Sequence, residues 1–281
     1  MTQPDPPNPP HSAPPAEPAD EADPASGAAG DPAVPDAVAR LTGTDLDTGE
    51  RRRLLARLAS SASGGTRRGV RRFIMSPRAV TRWALDTLIE IAPHLPARNL
   101  DVLRRHHEGR TGDALAEVLI RNASRVTAGI GAAGGGVAAV EWAAPPTLLT
   151  APVLIAAETV AVVAVEVKLI AELHEVYGMP LQGSAAEKGT QLLGAWAQRR
   201  GVSLLNPARG LGAVLSVGMR KELRERLLKR MGRNLTTLGP LLTGAAVAAE
   251  LNRRATKSLG EQVRDDLRKS GRRTLELPSG H

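Results

Sequence analysis

The sequence predicts an all-α protein. Apolar residues recur at helical spacing in several segments, for example at Val80, Ala84 and Leu88, and the alternating pattern of strands is scarce. The valine-rich run 159–167 has strand propensity. It lies, however, within 24 residues, 154–177, that contain no Gly or Pro, and this length favours a helix. We therefore expect a multi-helix bundle around a central Ala- and Gly-rich hairpin, 126–177, behind a disordered N-terminal tail.

Residues 1–36 predict the disordered acidic tail. They contain seven acidic residues, no Lys or Arg, no aromatic residue and 11 of the 21 prolines. Such a segment cannot bury enough apolar surface to fold, and it lacks the regions of a secretory signal peptide. The rest of the chain holds all 37 basic residues against 22 of the 29 acidic ones, a net charge of +15. The absence of cysteine excludes disulfides, thiolate nucleophiles and Cys-ligated metals.

A basic helical region is predicted over residues 37–110. Asp47 is placed to cap a short helix, and Ser76-Pro77 is a helix start signal. No acidic residue lies between Glu50 and Asp86, although ten arginines do. A second basic cluster, Arg220 to Arg233, has seven bases against two acids. The residues expected to contact a membrane or another anion are Arg51, Arg52, Arg53, Arg67, Arg68, Arg71, Arg72, Arg220, Lys221, Arg224, Lys229 and Arg230.

Further helices are predicted in the C-terminal half of the chain, within a domain spanning residues 111–270. Residues 185–200 form one, closed by Gly201. Apolar stripes at Met219–Met231 and at Leu259, Val263 and Leu267 indicate two more, and residues 271–281 are expected to be flexible.

The run 129–136, GIGAAGGG, contains G-x-G-x-x-G, the fingerprint of a dinucleotide-binding turn. That turn requires a preceding apolar strand, and here the preceding residues are polar and helical. Small residues instead recur every four positions, which lets two helix backbones approach closely. We predict a helix-packing groove formed by Gly131, Gly135, Ala139, Gly244 and Ala248.

Three uncharged runs, 126–140, 142–157 and 234–249, raise the question of membrane insertion. As helices they would span roughly 22–24 Å, less than the hydrocarbon core of about 30 Å. Length alone leaves two hypotheses open: a buried hairpin in a helical domain, or a hairpin that inserts in a membrane.

The segments LIAELHEVYG (169–178) and LGPLLTGAAVAAELNRRATKSLGE (238–261) resemble the bacterial EcsC family over roughly residues 113–268. The residues that carry the resemblance are Tyr177, Gly178, Pro240, Gly244 and Asn252. The chain departs from the family pattern after Gly178, where it continues with Met179-Pro180. The resemblance implies a membrane-associated bacterial protein, linked in some bacteria to an ABC exporter, without an established set of catalytic residues.

Catalytic motifs are sparse. His174-Glu175 begins like H-E-x-x-H, but Gly178 stands where the second histidine would be. Glu141 and Glu158 lie in apolar surroundings, and we expect a buried ion pair with Arg121, Arg125 or Lys168 rather than an acid–base dyad. No catalytic residue, cofactor or metal is predicted.

Three functional hypotheses remain open from the sequence. The preferred one is a cytoplasmic helical protein that docks on anionic membrane lipids through its basic faces and the hairpin 128–167, as an adaptor or modulator, with a transporter or a second copy as further partner. The second is a nucleic-acid-binding domain, although aromatic residues for stacking are few. The third is an enzyme that uses Glu141, Glu158 or His174.

Overall fold

The computed structural model describes residues 33–62, 77–142, 151–200 and 240–276. No strand occurs among these residues, so the all-α prediction is confirmed. The helices are α1 (Ala33–Leu41), α2 (Thr48–Ser61), α3 (Pro77–Ile91), α4 (Leu100–His106), α5 (Gly112–Trp142), α6 (Ala151–Val176), α7 (Ala185–Arg199) and α8 (Pro240–Glu276), with a short 3-10 helix, Ala92–His94, after α3.

Local signals set several of the helix ends. Asp47 caps α2 by accepting from the Glu50 backbone N–H at 2.8 Å, while Glu50 accepts from the Asp47 N–H at 3.2 Å. Ser184 and Glu187 form the same reciprocal capping box at the start of α7. Since each box satisfies two backbone donors that the first helical turn leaves free, both helices begin where the sequence places a cap.

Helix α6 is the centre of the bundle. It contacts α1, α2, α3, α5, α7 and α8, and its residues from Ala156 to Ala161 are all buried. The valine-rich run is thus helical, and it can be apolar on every side because neighbouring helices cover it on every side. The α6 part of the hairpin that was expected to insert in a membrane belongs to the buried core of the bundle. Its residues Val163, Ala164 and Val167 are at most 1% exposed.

Helix α8 runs antiparallel to α5 along most of their length. Gly135 lies against Ala245, Gly131 against Ala248 and Gly260 against Ile120. The sequence predicted separate elements in this region, but α8 is one helix of 37 residues that also continues past position 271 to Glu276.

The predicted regions 37–110 and 111–270 share one core. Val38, Leu58 and Leu88 belong to the same buried cluster as Ala164 and Ile170. Helix α1 begins at Ala33, slightly before the predicted boundary. The acidic tail up to residue 32 and the Met219–Met231 stripe lie outside the described residues. In the ranges that the structure describes, no helix is both long enough and apolar enough to cross a membrane.

Candidate functional site

The glycines of α5 lie where other helices approach α5 closely. A Cβ atom built on Gly131 would stand 2.7 Å from the backbone carbonyl of Ala248, and one built on Gly135 would stand 2.6 Å from the Cα of Ala245. No side chain fits at such distances, so hydrogen is the only substituent that permits this approach. Ala139 and Gly244 were also predicted to line this groove. Their surroundings lie outside the part of the chain whose side chains the structure describes.

Two further glycines of the run face different helices. A Cβ on Gly129 would lie 2.9 Å from Nε of Arg51 on α2, and one on Gly134 would lie 2.6 Å from Oε2 of Glu158 on α6. The G-x-G-x-x-G run is therefore the middle of a helix that packs against α2, α6 and α8. It does not follow a strand, as a dinucleotide-binding turn would.

Asn252 joins the three longest helices. Its side-chain amide donates to Oε1 of Glu158 at 3.1 Å and to the carbonyl oxygen of Thr127 at 3.3 Å. Glu158 is 7% exposed and Thr127 is fully buried. Because a buried carboxylate without donors is costly, this amide stabilises the contact between α5, α6 and α8. Asn252 is also one of the residues that carry the EcsC resemblance.

Tyr177 and Gly178, which also carry the resemblance, directly follow the last residue of α6. The Tyr177 hydroxyl donates to Asp113 at 2.6 Å, and Asp113 in turn pairs with Arg268 of α8 at 3.3 Å. Burial, followed by the hydrogen bond to Asp113, raises the pKa of Tyr177. Gly178 has a φ of +68°, which favours glycine at the helix end. Pro240 is the first residue of α8.

Glu166 anchors α7 and α8 to the centre of α6. It is 1% exposed and accepts from Trp196 Nε1 at 2.7 Å, from Thr256 Oγ1 at 2.8 Å and from the guanidinium of Arg200. No motif in the sequence predicted that these side chains would meet at Glu166. Its three partners come from α7, from Arg200 directly after α7, and from α8, so its role is to hold these two helices against α6.

The buried Glu172 forms a second ion pair, with the partly exposed Arg98 from the segment before α4. Arg98 Nε donates to Glu172 Oε1 at 2.8 Å and Nη2 donates to Oε2 at 3.1 Å. Burial lowers the pKa of the nearby Lys168. Such bidentate pairs fix orientation, and here they fix the loop to α6.

The residues proposed for an enzyme are not arranged as a catalytic centre in the described part. Glu158 is bonded to an amide, and His174 Nδ1 is 3.1 Å from the carbonyl oxygen of Met179. Burial is the main cause that lowers the pKa of His174. The side chain of Glu141 lies outside the described residues. No group of three His, Asp or Glu that could hold a metal occurs in the described ranges.

A basic groove lies along the seam between α5 and α8, on the N-terminal side of Thr127 in α5 and the C-terminal side of Asn252 in α8. It encloses about 370 Å³. Five of its side chains are cationic and two are carboxylates. The lining residues are Glu117, Ile120, Arg121, Ser124, Arg125, Arg253, Lys257, Glu261 and Arg264.

The sequence did not predict this groove, although part of its signal is present. Arg121 and Arg125 are one turn apart on α5, and so are Arg253 and Lys257 on α8. Each pair alone is an ordinary charged helix face. Only the antiparallel pairing of two helices more than one hundred residues apart in sequence brings the two faces together.

The predicted membrane-contacting arginines differ in their positions. Arg52 and Arg53 are exposed on α2. Arg51 is 4% exposed, and its guanidinium donates to the carbonyl oxygens of Leu41 at 3.4 Å and Gly43 at 3.1 Å. For Arg51 the prediction is wrong, because its side chain points inward and bonds the α1–α2 loop. The remaining members, Arg67, Arg68, Arg71, Arg72, Arg220, Lys221, Arg224, Lys229 and Arg230, lie outside the described residues.

No family model matches the sequence, and neither a curated protein nor a solved structure matches the chain. Membership of the EcsC family stays a prediction that rests on the motif residues described above.

Proposed function

We propose that this chain is a non-catalytic helical protein of the EcsC type that docks on the anionic cytoplasmic surface of a membrane and acts there as an adaptor or modulator. The observation that carries the proposal is the exposed cationic surface, namely Arg52 and Arg53 on α2 and the groove between α5 and α8. Each Lys or Arg held near an anionic membrane contributes about 1 kcal/mol of attraction.

The packing of the hairpin argues against its taking part in the proposed membrane contact. Its α6 half is covered by neighbouring helices from Ala156 onward, so exposing it to lipid would break the core. The proposed contact is therefore made by the basic surfaces, without the hairpin. A membrane transporter or a second copy of the chain is the partner that such an adaptor would have.

The buried carboxylates support a non-catalytic role. Glu166 and Glu172 are bonded to the cationic side chains of Arg200 and Arg98, and Glu158 is bonded to Asn252. Groups held in this way stabilise helix contacts and are not presented to a substrate.

Fractionation of cells that express the full chain tests the proposal. We expect the protein in the membrane fraction at low salt and its release by a high-salt wash, because screening weakens contacts between exposed charges. Recovery in the soluble fraction at low salt would contradict the proposal. Retention through both salt and carbonate washes would show an inserted protein instead of a docked one.

A further inference from the structure

We propose that the groove between α5 and α8 binds a phosphate monoester group at the end that contains Arg125. This inference deepens the proposed function, on which it rests, by naming a site and a ligand chemistry.

The antiparallel register divides the groove into two ends. Thr127 meets Asn252 and Ile120 meets Gly260, which places Arg125 level with the stretch of α8 between Arg253 and Lys257. The two carboxylates of the groove, Glu117 and Glu261, lie toward the opposite end in this register. One end is therefore cationic, and the other is mixed.

Most cations of the groove already have carboxylate partners. Arg121 pairs with Glu117 at 3.1 Å, Arg253 with Glu250 at 2.7 Å and Lys257 with Glu261 at the longer distance of 3.7 Å. Arg264 pairs with Asp265 at 3.0 Å.

Arg125 is the exception. Among the described residues it has no carboxylate within 4 Å, and it is exposed. The groove thus holds an unneutralised guanidinium next to Arg253 and Lys257, whose remaining N–H groups are still available as donors.

Phosphate fits this arrangement better than a carboxylate does. A guanidinium binds phosphate oxygens through two parallel hydrogen bonds, and an ammonium binds them as a point charge. Three donor side chains at one end match the three terminal oxygens of a monoester. A diester has only two such oxygens and one negative charge. The volume of about 370 Å³ falls within the usual range for small-ligand sites.

The source of the phosphate monoester is a lipid headgroup, as in phosphatidic acid, or a free small molecule such as glycerol 3-phosphate. The two share the same group, and only the first is attached to a membrane. The test therefore uses both probes with the full chain.

The first measurement compares flotation on phosphatidylcholine vesicles that contain either phosphatidic acid or phosphatidylglycerol. We expect tighter binding to phosphatidic acid, and we expect the groove variant Arg125→Gln/Lys257→Gln to lose that preference by about tenfold in affinity, the effect of one or two charged hydrogen bonds. The matched control is Arg52→Gln/Arg53→Gln, which removes the same charge from exposed positions of α2 and should keep the preference. Circular dichroism of both variants checks that the helices are retained.

The second measurement titrates glycerol 3-phosphate alone by calorimetry. If the wild type binds glycerol 3-phosphate and the groove variant does not, the ligand of the groove is a soluble phosphate monoester. If the wild type binds only vesicles with phosphatidic acid, the ligand is the lipid headgroup. The inference is overturned if the groove variant keeps the wild-type preference and affinity, or if phosphatidylglycerol binds as well as phosphatidic acid. If the wild type floats with no anionic vesicle, the proposed function is contradicted. The titration with glycerol 3-phosphate alone then decides whether the groove binds a phosphate monoester.

Discussion

The side-chain amide of Asn252 on α8 donates to the buried carboxylate of Glu158 on α6, with 3.1 Å between Nδ2 and Oε1. The same amide reaches the backbone of α5 at Thr127. One side chain thus connects three helices beside Gly131 and Gly134, the glycines of α5 that allow α8 and α6 a close approach.

Replacing Asn252 by Leu should lower the free energy of unfolding by about 1–3 kcal/mol, because a buried carboxylate loses a donor. Chemical denaturation followed by circular dichroism measures the change. The control is Gln262→Leu on the exposed face of the same helix, where a change within about 0.5 kcal/mol is expected. Equal effects of the two substitutions would show that the amide does not stabilise the junction.

Replacing Gly135 by Ala should destabilise the chain by about 1–3 kcal/mol, since the added methyl group overlaps the backbone of Ala245. The matched substitution Gly194→Ala, on α7, meets no atom within 4 Å and should stabilise the chain by roughly 0.5–1 kcal/mol. Thermal melts of both variants compare them directly. A stabilised Gly135→Ala variant, or a wild type stabilised by NAD or ATP, would contradict the packing role of the glycine run.

Replacing Glu166 by Gln should cost about 1–3 kcal/mol, because the partly exposed guanidinium of Arg200 loses the buried carboxylate that accepts its hydrogen bonds. Glu117→Gln removes an exposed ion pair with Arg121 and should cost about 0.5 kcal/mol or less. Denaturant midpoints of the two variants measure the difference. A Glu166→Gln variant as stable as Glu117→Gln would exclude the anchoring role of Glu166.

The stability of the chain should fall on mild acidification. Burial lowers the pKa of His174 and of His107 below the ordinary value of 6.5. As the pH falls through 6.5, the unfolded chain takes up protons that the folded chain does not, so the unfolded state gains stability. The hydrogen bond from Arg253 lowers the pKa of Glu250 to about 2, so the stability that this carboxylate contributes at neutral pH is lost only at more acidic pH.

Denaturant unfolding curves at neutral pH and at about pH 5 measure how the free energy of unfolding depends on pH. The variant His174→Gln should show a weaker loss of stability between the two conditions than the wild type. An identical loss in the variant would mean that His174 does not contribute.

The sequence was sufficient to predict the helical class and several local features. Capping residues such as Asp47 act on their own neighbours, and the four-residue spacing of small residues at Gly131 and Gly135 is visible within one helix. In these cases the physical cause is contained in a short segment, so the pattern alone is informative.

Features that depend on pairing between distant segments could not be predicted. Arg51 belongs to a run of three arginines, and only the fold determines that it turns inward to the α1–α2 loop while Arg52 and Arg53 stay exposed. The hydrogen bond from Asn252 to Glu158 joins residues 94 positions apart, and no pattern within either helix predicts it. The groove at Arg125 likewise requires the register of α5 against α8.

Flotation of the full chain with phosphatidylcholine vesicles, with and without anionic lipid, tests directly whether the protein docks on a membrane surface. We expect recovery in the floating fraction only with anionic vesicles, and a steady loss of that recovery as salt is raised. Addition of duplex DNA to the vesicles provides a competitor for the same cations, and a preference for DNA would favour the nucleic-acid hypothesis. Equal recovery in the soluble fraction with neutral and anionic vesicles would contradict docking on the membrane surface.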